Sequence, residues 1–152
     1  PDANSTLRVT YGKVKGYAPK DATLYTSTTY LDGIMEKYIP GDYEFNVPSK
    51  LIDLYKTKNY GPYAENGKMP VCFIATNHTT GGNSGSPAID AKGNLIGLNF
   101  DRVWEGTMSD IYYDPNICRN IMVDARYILF IIDKYADAKN IISELKLVHP
   151  KK

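Results

Sequence analysis

The residues in this sequence with the plainest chemical use are a serine and the glycines around it, in the run Gly81-Gly82-Asn83-Ser84-Gly85-Ser86-Pro87. A nucleophilic serine needs an exposed Oγ and main-chain N–H groups aimed at the oxyanion that forms on attack. Flanking glycines let the backbone take the positive φ values such a loop requires. The N–H groups of Gly82 and Ser84 can then converge on one small hole. A plain Gly/Ser turn could carry Gly-Asn-Ser-Gly alone. Pro87 and the strand and hairpin patterns that follow favour the nucleophile turn. The run is not the Gly-x-Ser-x-Gly elbow of α/β-hydrolases, because Ser86 takes the last glycine position. Nor is it a phosphate loop, since no Gly-Lys-Ser/Thr follows.

A serine of this kind needs a general base within hydrogen-bond reach. The sequence holds two histidines, His78 and His149. His78 precedes Ser84 by six positions and would have to fold back over its own oxyanion loop, so it reads as a polar loop residue. His149 sits in a Lys-rich terminal tail and reads as solvated. Neither histidine therefore reads as the base for Ser84.

The elements that must position the serine read mainly as strands. Residues 6–17 alternate, with Leu7, Val9 and Tyr11 against Arg8 and Thr10, and break at Gly12 and Gly16. Residues 22–30 are rich in Thr and Tyr, which favour strands. Residues 31–38 are a weak helix ended by Ile39-Pro40-Gly41. Ser49 is placed to cap a helix over residues 50–58, with Leu51, Leu54 and Tyr55 on one face. Residues 71–76 are an apolar strand leading into the serine turn. Residues 88–90 and 95–100 flank Ala91-Lys92-Gly93-Asn94 as a hairpin, and residues 117–123 form a further strand. Asp124 can cap a helix in which Ile128, Leu129, Ile132 and Tyr135 share a face. Ile141, Ile142 and Leu145 mark a second short helix. The expected layout is a β-rich body over residues 1–123 with a helical tail over 124–152.

Composition sets limits. A chain of 152 residues fits one compact domain. With 43% hydrophobic and 23% charged residues it is globular. A net charge of +1 gives no case for a nucleic-acid partner, and no apolar run reaches the roughly 20 residues of a membrane span. The chain opens on Pro1-Asp2-Ala3-Asn4-Ser5, with no initiator Met or signal peptide, and reads as a piece of a longer protein. Cys72 and Cys118 lack metal spacing. They read as two buried thiols, or as a disulfide if the compartment is oxidising.

Asp101 and Arg102 follow the strand over residues 95–100. Side by side, they could be a surface pair worth little. Neighbours on a strand point to opposite sides, so they need not pair with each other. Trp104 and Glu105 read as structural, with a pocket-wall role open. The thirteen tyrosines are scattered over the strands, which favours packing over a sugar- or base-binding surface.

Gly82-Asn83-Ser84-Gly85-Ser86-Pro87 resembles the Gly-Asp-Ser-Gly-Gly-Pro signature of chymotrypsin-like peptidases, with Asn83 for Asp and Ser86 for Gly. That variant resembles the bacterial dipeptidyl-peptidase 7/11 family. The likeness takes in Thr76-Asn77-His78-Thr79-Thr80 and Gly93-Asn94-Leu95-Ile96-Gly97-Leu98-Asn99-Phe100-Asp101-Arg102. It extends to Val123-Asp124-Ala125-Arg126-Tyr127-Ile128-Leu129-Phe130 and Tyr11-Gly12-Lys13-Val14-Lys15-Gly16-Tyr17, and so covers nearly the whole chain. The resemblance implies a mainly β fold: the second, six-stranded-type barrel of a chymotrypsin-like double β-barrel, with C-terminal helices. It implies a serine exopeptidase that releases N-terminal dipeptides through an acyl-enzyme. Ser84 would be the nucleophile and the N–H groups of Gly82 and Ser84 the oxyanion hole. The catalytic His and Asp would lie outside this chain. Asp101 matches the acidic residue that holds the substrate's free α-amino group. Arg102 matches the position where Arg goes with Asp or Glu at P1 and Gly with apolar P1 residues, as a guanidinium pairing bidentately with a carboxylate would dictate. The resemblance also implies no cofactor or metal, peptide substrates with a free N-terminus, a homodimer, and a periplasmic or cell-surface location. The competing reading is a β-rich module that binds a peptide or glycan without turnover.

Overall fold

The computed structural model describes residues 4–148; His149 falls outside them. Among the described residues, seven strands lie in two antiparallel sheets. β1 (Tyr17–Lys20) pairs with β2 (Thr23–Tyr25). The larger sheet holds β3 (Thr28–Tyr30), β4 (Pro70–Ala75), β5 (Pro87–Ile89), β6 (Leu95–Arg102) and β7 (Asn120–Asp124), in the order β3-β4-β7-β6-β5. The helices are α1 (Leu31–Lys37), α2 (Ser49–Lys56), α3 (Ala125–Phe130), running on as a π-helical turn (Ile131–Tyr135), and α4 (Lys139–Glu144). None of them is long and apolar enough to cross a membrane.

Much of this follows the sequence pattern. The hairpin of β5 and β6 closes through Asp90, whose carboxylate accepts from the main-chain N–H groups of Lys92 and Asn94 and from the Asn94 amide. Asp124 caps α3 by accepting from Arg126 N at 2.8 Å. The two sheets touch through residues 13–15: Val14 bridges Ala75, and Lys15 N donates to Ile74 O at 3.2 Å.

Four expectations need correction. Residues 6–13 form no strand, and Leu7, Val9 and Tyr11 are 92%, 82% and 93% exposed. Alternation marks a common face; it does not supply anything to cover that face. Ser49 is the first residue of α2 and makes no capping bond. The cap is Pro48, whose carbonyl accepts from Leu51 N and Ile52 N. β7 begins at Asn120 because residues 114–118 are turned, with Ile117 N and Cys118 N donating to Asp114 O. The face that α3 and the π-helical turn bury is only partly the expected one. Phe130 is fully buried beside Leu31, Leu51 and Met69, and Leu129 and Tyr135 pack against that cluster as expected, but Tyr127 and Ile131 join them in place of Ile128 and Ile132. The helical tail thus packs onto the body. Of the two readings of the cysteines, the structure has free thiols, and burial pushes the Cys72 thiol up.

Buried Arg119 ties the 114–119 turn to the N-terminal segment. Its guanidinium donates to the carbonyls of Lys15, Gly16, Pro115, Asn116 and Cys118, at 2.7 to 3.4 Å. It also lies over the Tyr17 ring, whose hydroxyl donates to Glu105 at 2.6 Å. Glu105 thus has a partner within the fold. Trp104 is 85% exposed, so its ring supports no packing among the described residues.

Gly97, in the middle of β6, sits where a Cβ would lie 2.6 Å from Val123 O and 2.7 Å from the Phe73 ring. Gly97→Ala is expected to cost about 1–3 kcal/mol by overpacking, read as a lower thermal midpoint. An unchanged midpoint would contradict this close approach. Tyr60, buried edge-on to Phe130, has its phenol pushed up to about 12 by burial. The folded state therefore prefers the neutral phenol. That stability is complete below the ordinary value of 10.0 and is lost as pH rises through about 12. Tyr60→Phe should flatten the loss of denaturant resistance between about pH 9 and about pH 12; a variant that loses it as steeply as the parent would contradict the assignment.

Candidate active site

The serine turn joins β4 to β5. Gly82 and Gly85 have φ of 92° and 80°, the left-handed values anticipated for glycines beside the nucleophile. Asn83 closes the turn with its side chain, accepting from Thr80 N at 3.0 Å, while Asn83 N donates to Thr80 O at 3.2 Å. Arg8 donates to Thr80 Oγ1 at 2.9 Å, holding the N-terminal segment against the loop.

Asn99, buried in β6, carries the loop. Gly85 N donates to Asn99 O at 2.7 Å, and Asn99 N donates to Ser86 O at 2.9 Å. The Asn99 amide donates to Asn83 O at 3.2 Å and its Oδ1 accepts from the Asn120 amide at 2.8 Å. The residues on both sides of Ser84 are therefore clipped to one strand. Ser84 itself is exposed. Its hydroxyl reaches the Phe100 carbonyl at 3.5 Å, the outer limit of a hydrogen bond. Among the described residues, neither Gly82 N–H nor Ser84 N–H has an acceptor. Two main-chain donors are thus left over beside an exposed hydroxyl.

Phe100 stands two residues before Arg102 on β6, which puts the Ser84 hydroxyl roughly 7 Å along the strand from the Arg102 backbone. Arg102 is half-buried and lines a shallow surface cleft with His78, Ser109, Tyr113 and Asn120; Ser84 is not among the lining residues. Asp101 is exposed, and its carboxylate accepts from Arg102 N at 2.7 Å. As strand geometry suggested, the two side chains do not pair. The Arg102 guanidinium instead meets Asp110 at 2.9 and 3.0 Å and Ser109 Oγ at 2.7 Å. That guanidinium holds the Asp110 carboxyl below its ordinary range. His78 turns away from Ser84. Its Nε2–H donates to Ser109 O at 2.9 Å, and its ring lies 4.8 Å from that of Tyr113. Among the described residues no histidine or carboxylate bonds the Ser84 hydroxyl.

The peptidase S46 model matches residues 1–147. The chain belongs to that family. It is 80% identical over 152 residues to an Asp/Glu-specific dipeptidyl-peptidase of Flavobacterium psychrophilum, covering all of this chain and 21% of the relative. It is 70% identical over 149 residues to the enzyme of that name from Capnocytophaga gingivalis, covering 97% of this chain and 21% of the relative. The crystal structure of Porphyromonas endodontalis DPP11 in complex with substrate superposes with a TM-score of 0.92 at 56% identity, over 95% of this chain and 21% of that one. The chain thus spans about a fifth of the length of the relatives it matches. Its mainly β architecture with helices is that of the peptidase S46 structure and is consistent with a fragment of a chymotrypsin-like barrel.

Sequence reasoning missed Asn99, Asn120, Ser109 and Asp110. A polar residue inside the apolar alternation of β6 was the available signal for Asn99. Asn99→Ala would strand the buried Asn120 amide and release Asn83 O, costing about 1–3 kcal/mol. Faster hydrogen exchange at the Gly85 amide, whose main-chain acceptor the substitution keeps, would report the loosened loop; unchanged exchange there would contradict the Asn99 side chain as part of its anchor.

Proposed function

We propose that this chain is the serine-bearing segment of a serine exopeptidase that releases N-terminal dipeptides with Asp or Glu at P1. The reading rests on an exposed Ser84 with two unengaged main-chain donors, clipped to the strand that carries Asp101 and Arg102. It is supported by 80% identity to an Asp/Glu-specific dipeptidyl-peptidase.

Ser84 Oγ attacks the carbonyl of the substrate's second residue. The developing oxyanion sits between the N–H groups of Gly82 and Ser84, where preorganised donors stabilise it without reorganisation. Collapse expels the amine of the shortened peptide and leaves the dipeptide as an ester on Ser84. Water then hydrolyses the ester, so the chemistry needs no metal or organic cofactor. The base that removes the Ser84 proton and returns it to the leaving amine comes from chain beyond these 152 residues, as does the carboxylate that orients it. Asp101 holds the substrate's α-ammonium, which fixes the cut two residues in. Arg102 receives the P1 carboxylate, a charge-assisted pair suited to a guanidinium. We further propose a periplasmic or cell-surface location and a homodimeric intact protein.

In the intact protein, a fluorophosphonate probe should label Ser84, and Ser84→Ala should lower dipeptide release about 10³-fold or more. No labelling would favour a binding module without turnover. Arg102→Gly should cut the preference for acidic over apolar P1 by about 30-fold or more. Equal turnover of Asp-P1 and Leu-P1 substrates by the unmutated protein would contradict the assignment. The 152-residue chain alone should release no measurable dipeptide; Ser84-dependent release would show that its base lies within it.

A further inference from the structure

A guanidinium has five N–H donors and two edges that can grip a carboxylate bidentately: end-on through Nη1 and Nη2, and side-on through Nε and Nη2. Asp110 occupies the end-on edge of Arg102, with Oδ1 2.9 Å from Nη1 and Oδ2 3.0 Å from Nη2. Ser109 Oγ accepts the other Nη1 hydrogen at 2.7 Å. Three of the five donors are engaged. The side-on pair, Nε–H and the second Nη2–H, has no partner among the described residues.

The two gripping residues are themselves held. Ser109 is buried, and its carbonyl accepts from His78 Nε2 at 2.9 Å. Both lie on the 3₁₀ segment Trp104–Asp110, whose end is closed by Ile111 N and Tyr112 N donating to Met108 O. An arginine side chain has many rotamers, and pinning one edge selects the direction of the other.

We propose that Asp110 and Ser109 are positioning residues for P1 recognition, clamping the end-on edge of Arg102 so that its side-on edge meets the acidic side chain of the substrate. The proposal rests on the reading of Arg102 given above. It differs from the view that Asp110 is a stand-in for substrate, displaced when an acidic P1 residue arrives. A displaced Asp110 would compete with substrate, and neutralising it would tighten acidic binding. A clamping Asp110 acts through geometry, and neutralising it would weaken acidic binding even though a negative charge has been removed.

The experiment uses the intact protein with chromogenic dipeptide substrates that differ only in Asp or Leu at P1. For Asp110→Asn the ratio of kcat/KM for Asp-P1 to that for Leu-P1 should fall about tenfold, the scale of one hydrogen bond to a charged group. The fall should appear mainly in KM. Asp110→Glu, which keeps the fork, should recover part of it, and Ser109→Ala should move the ratio in the same direction by less. An unchanged or higher ratio in Asp110→Asn, with Arg102→Gly abolishing the acidic preference, would overturn the clamp and leave Arg102 as the P1 residue. A preference that survives Arg102→Gly would overturn both.

Discussion

Asn99 is where the chemistry of this domain is joined to its framework. Its main chain and its amide engage Asn83, Gly85 and Ser86, on both sides of Ser84, while its Oδ1 holds the buried Asn120 of β7. A glycine-flanked loop left to itself would sample many conformations, because each glycine adds backbone freedom that folding must remove. Three hydrogen bonds from one strand residue to the loop remove it locally. They also set the serine loop and β6 in one frame, so the Ser84 hydroxyl at Phe100 and the guanidinium of Arg102 cannot drift apart independently. The close approach at Gly97 serves the same end, since it lets β6 lie against β7 and the Phe73 ring without a side chain between them.

Arg102 and Arg119 both line the cleft, yet they differ in what they have left to give. Every donor of Arg119 is spent on a carbonyl: Nε on Lys15, Nη1 on Pro115 and Cys118, Nη2 on Gly16 and Asn116. Its charge is carried by main-chain dipoles and the Tyr17 face, and it welds the turn over residues 114–119 to the N-terminal segment. Arg102 keeps an edge unengaged. Donor accounting, more than proximity or charge, separates a structural guanidinium from one that can recognise a ligand.

The parts legible in the sequence were those set by local chemistry. The glycines about Ser84, the Asp90 hairpin and the Asp124 cap each answer a need within a few residues, and each was found where its residue type placed it. The burial of Asn99 and Arg119 was not legible, because the side-chain partners of Asn99 lie 16 and 21 residues away in the chain and those that tie Arg119 to the N-terminal segment 103 and 104. Ser109 and Asp110 lie in a 3₁₀ segment, which has no apolar period to announce it, and their link to Arg102 needs the chain to turn back on itself. The alternation of Leu7, Val9 and Tyr11 was legible as a pattern and misleading as a strand. Periodicity states which side chains share a side and is silent on whether another layer covers them.

That exposed face and the unaccompanied serine point the same way. Three apolar side chains, each more than four-fifths exposed, lie on the segment that Arg8 fastens to the serine loop. Leaving them in water forgoes burial of roughly 25 cal/mol for each Å² of apolar surface. The relatives are about five times longer than this chain. On the proposed reading, the remaining chain brings the general base to Ser84. The division of work is then physical. This domain presets the elements that must be rigid, namely the donors, the hydroxyl and the specificity fork. On the same proposed reading the proton-transfer partner would arrive from a second body, and the active site would exist only where the two are packed together.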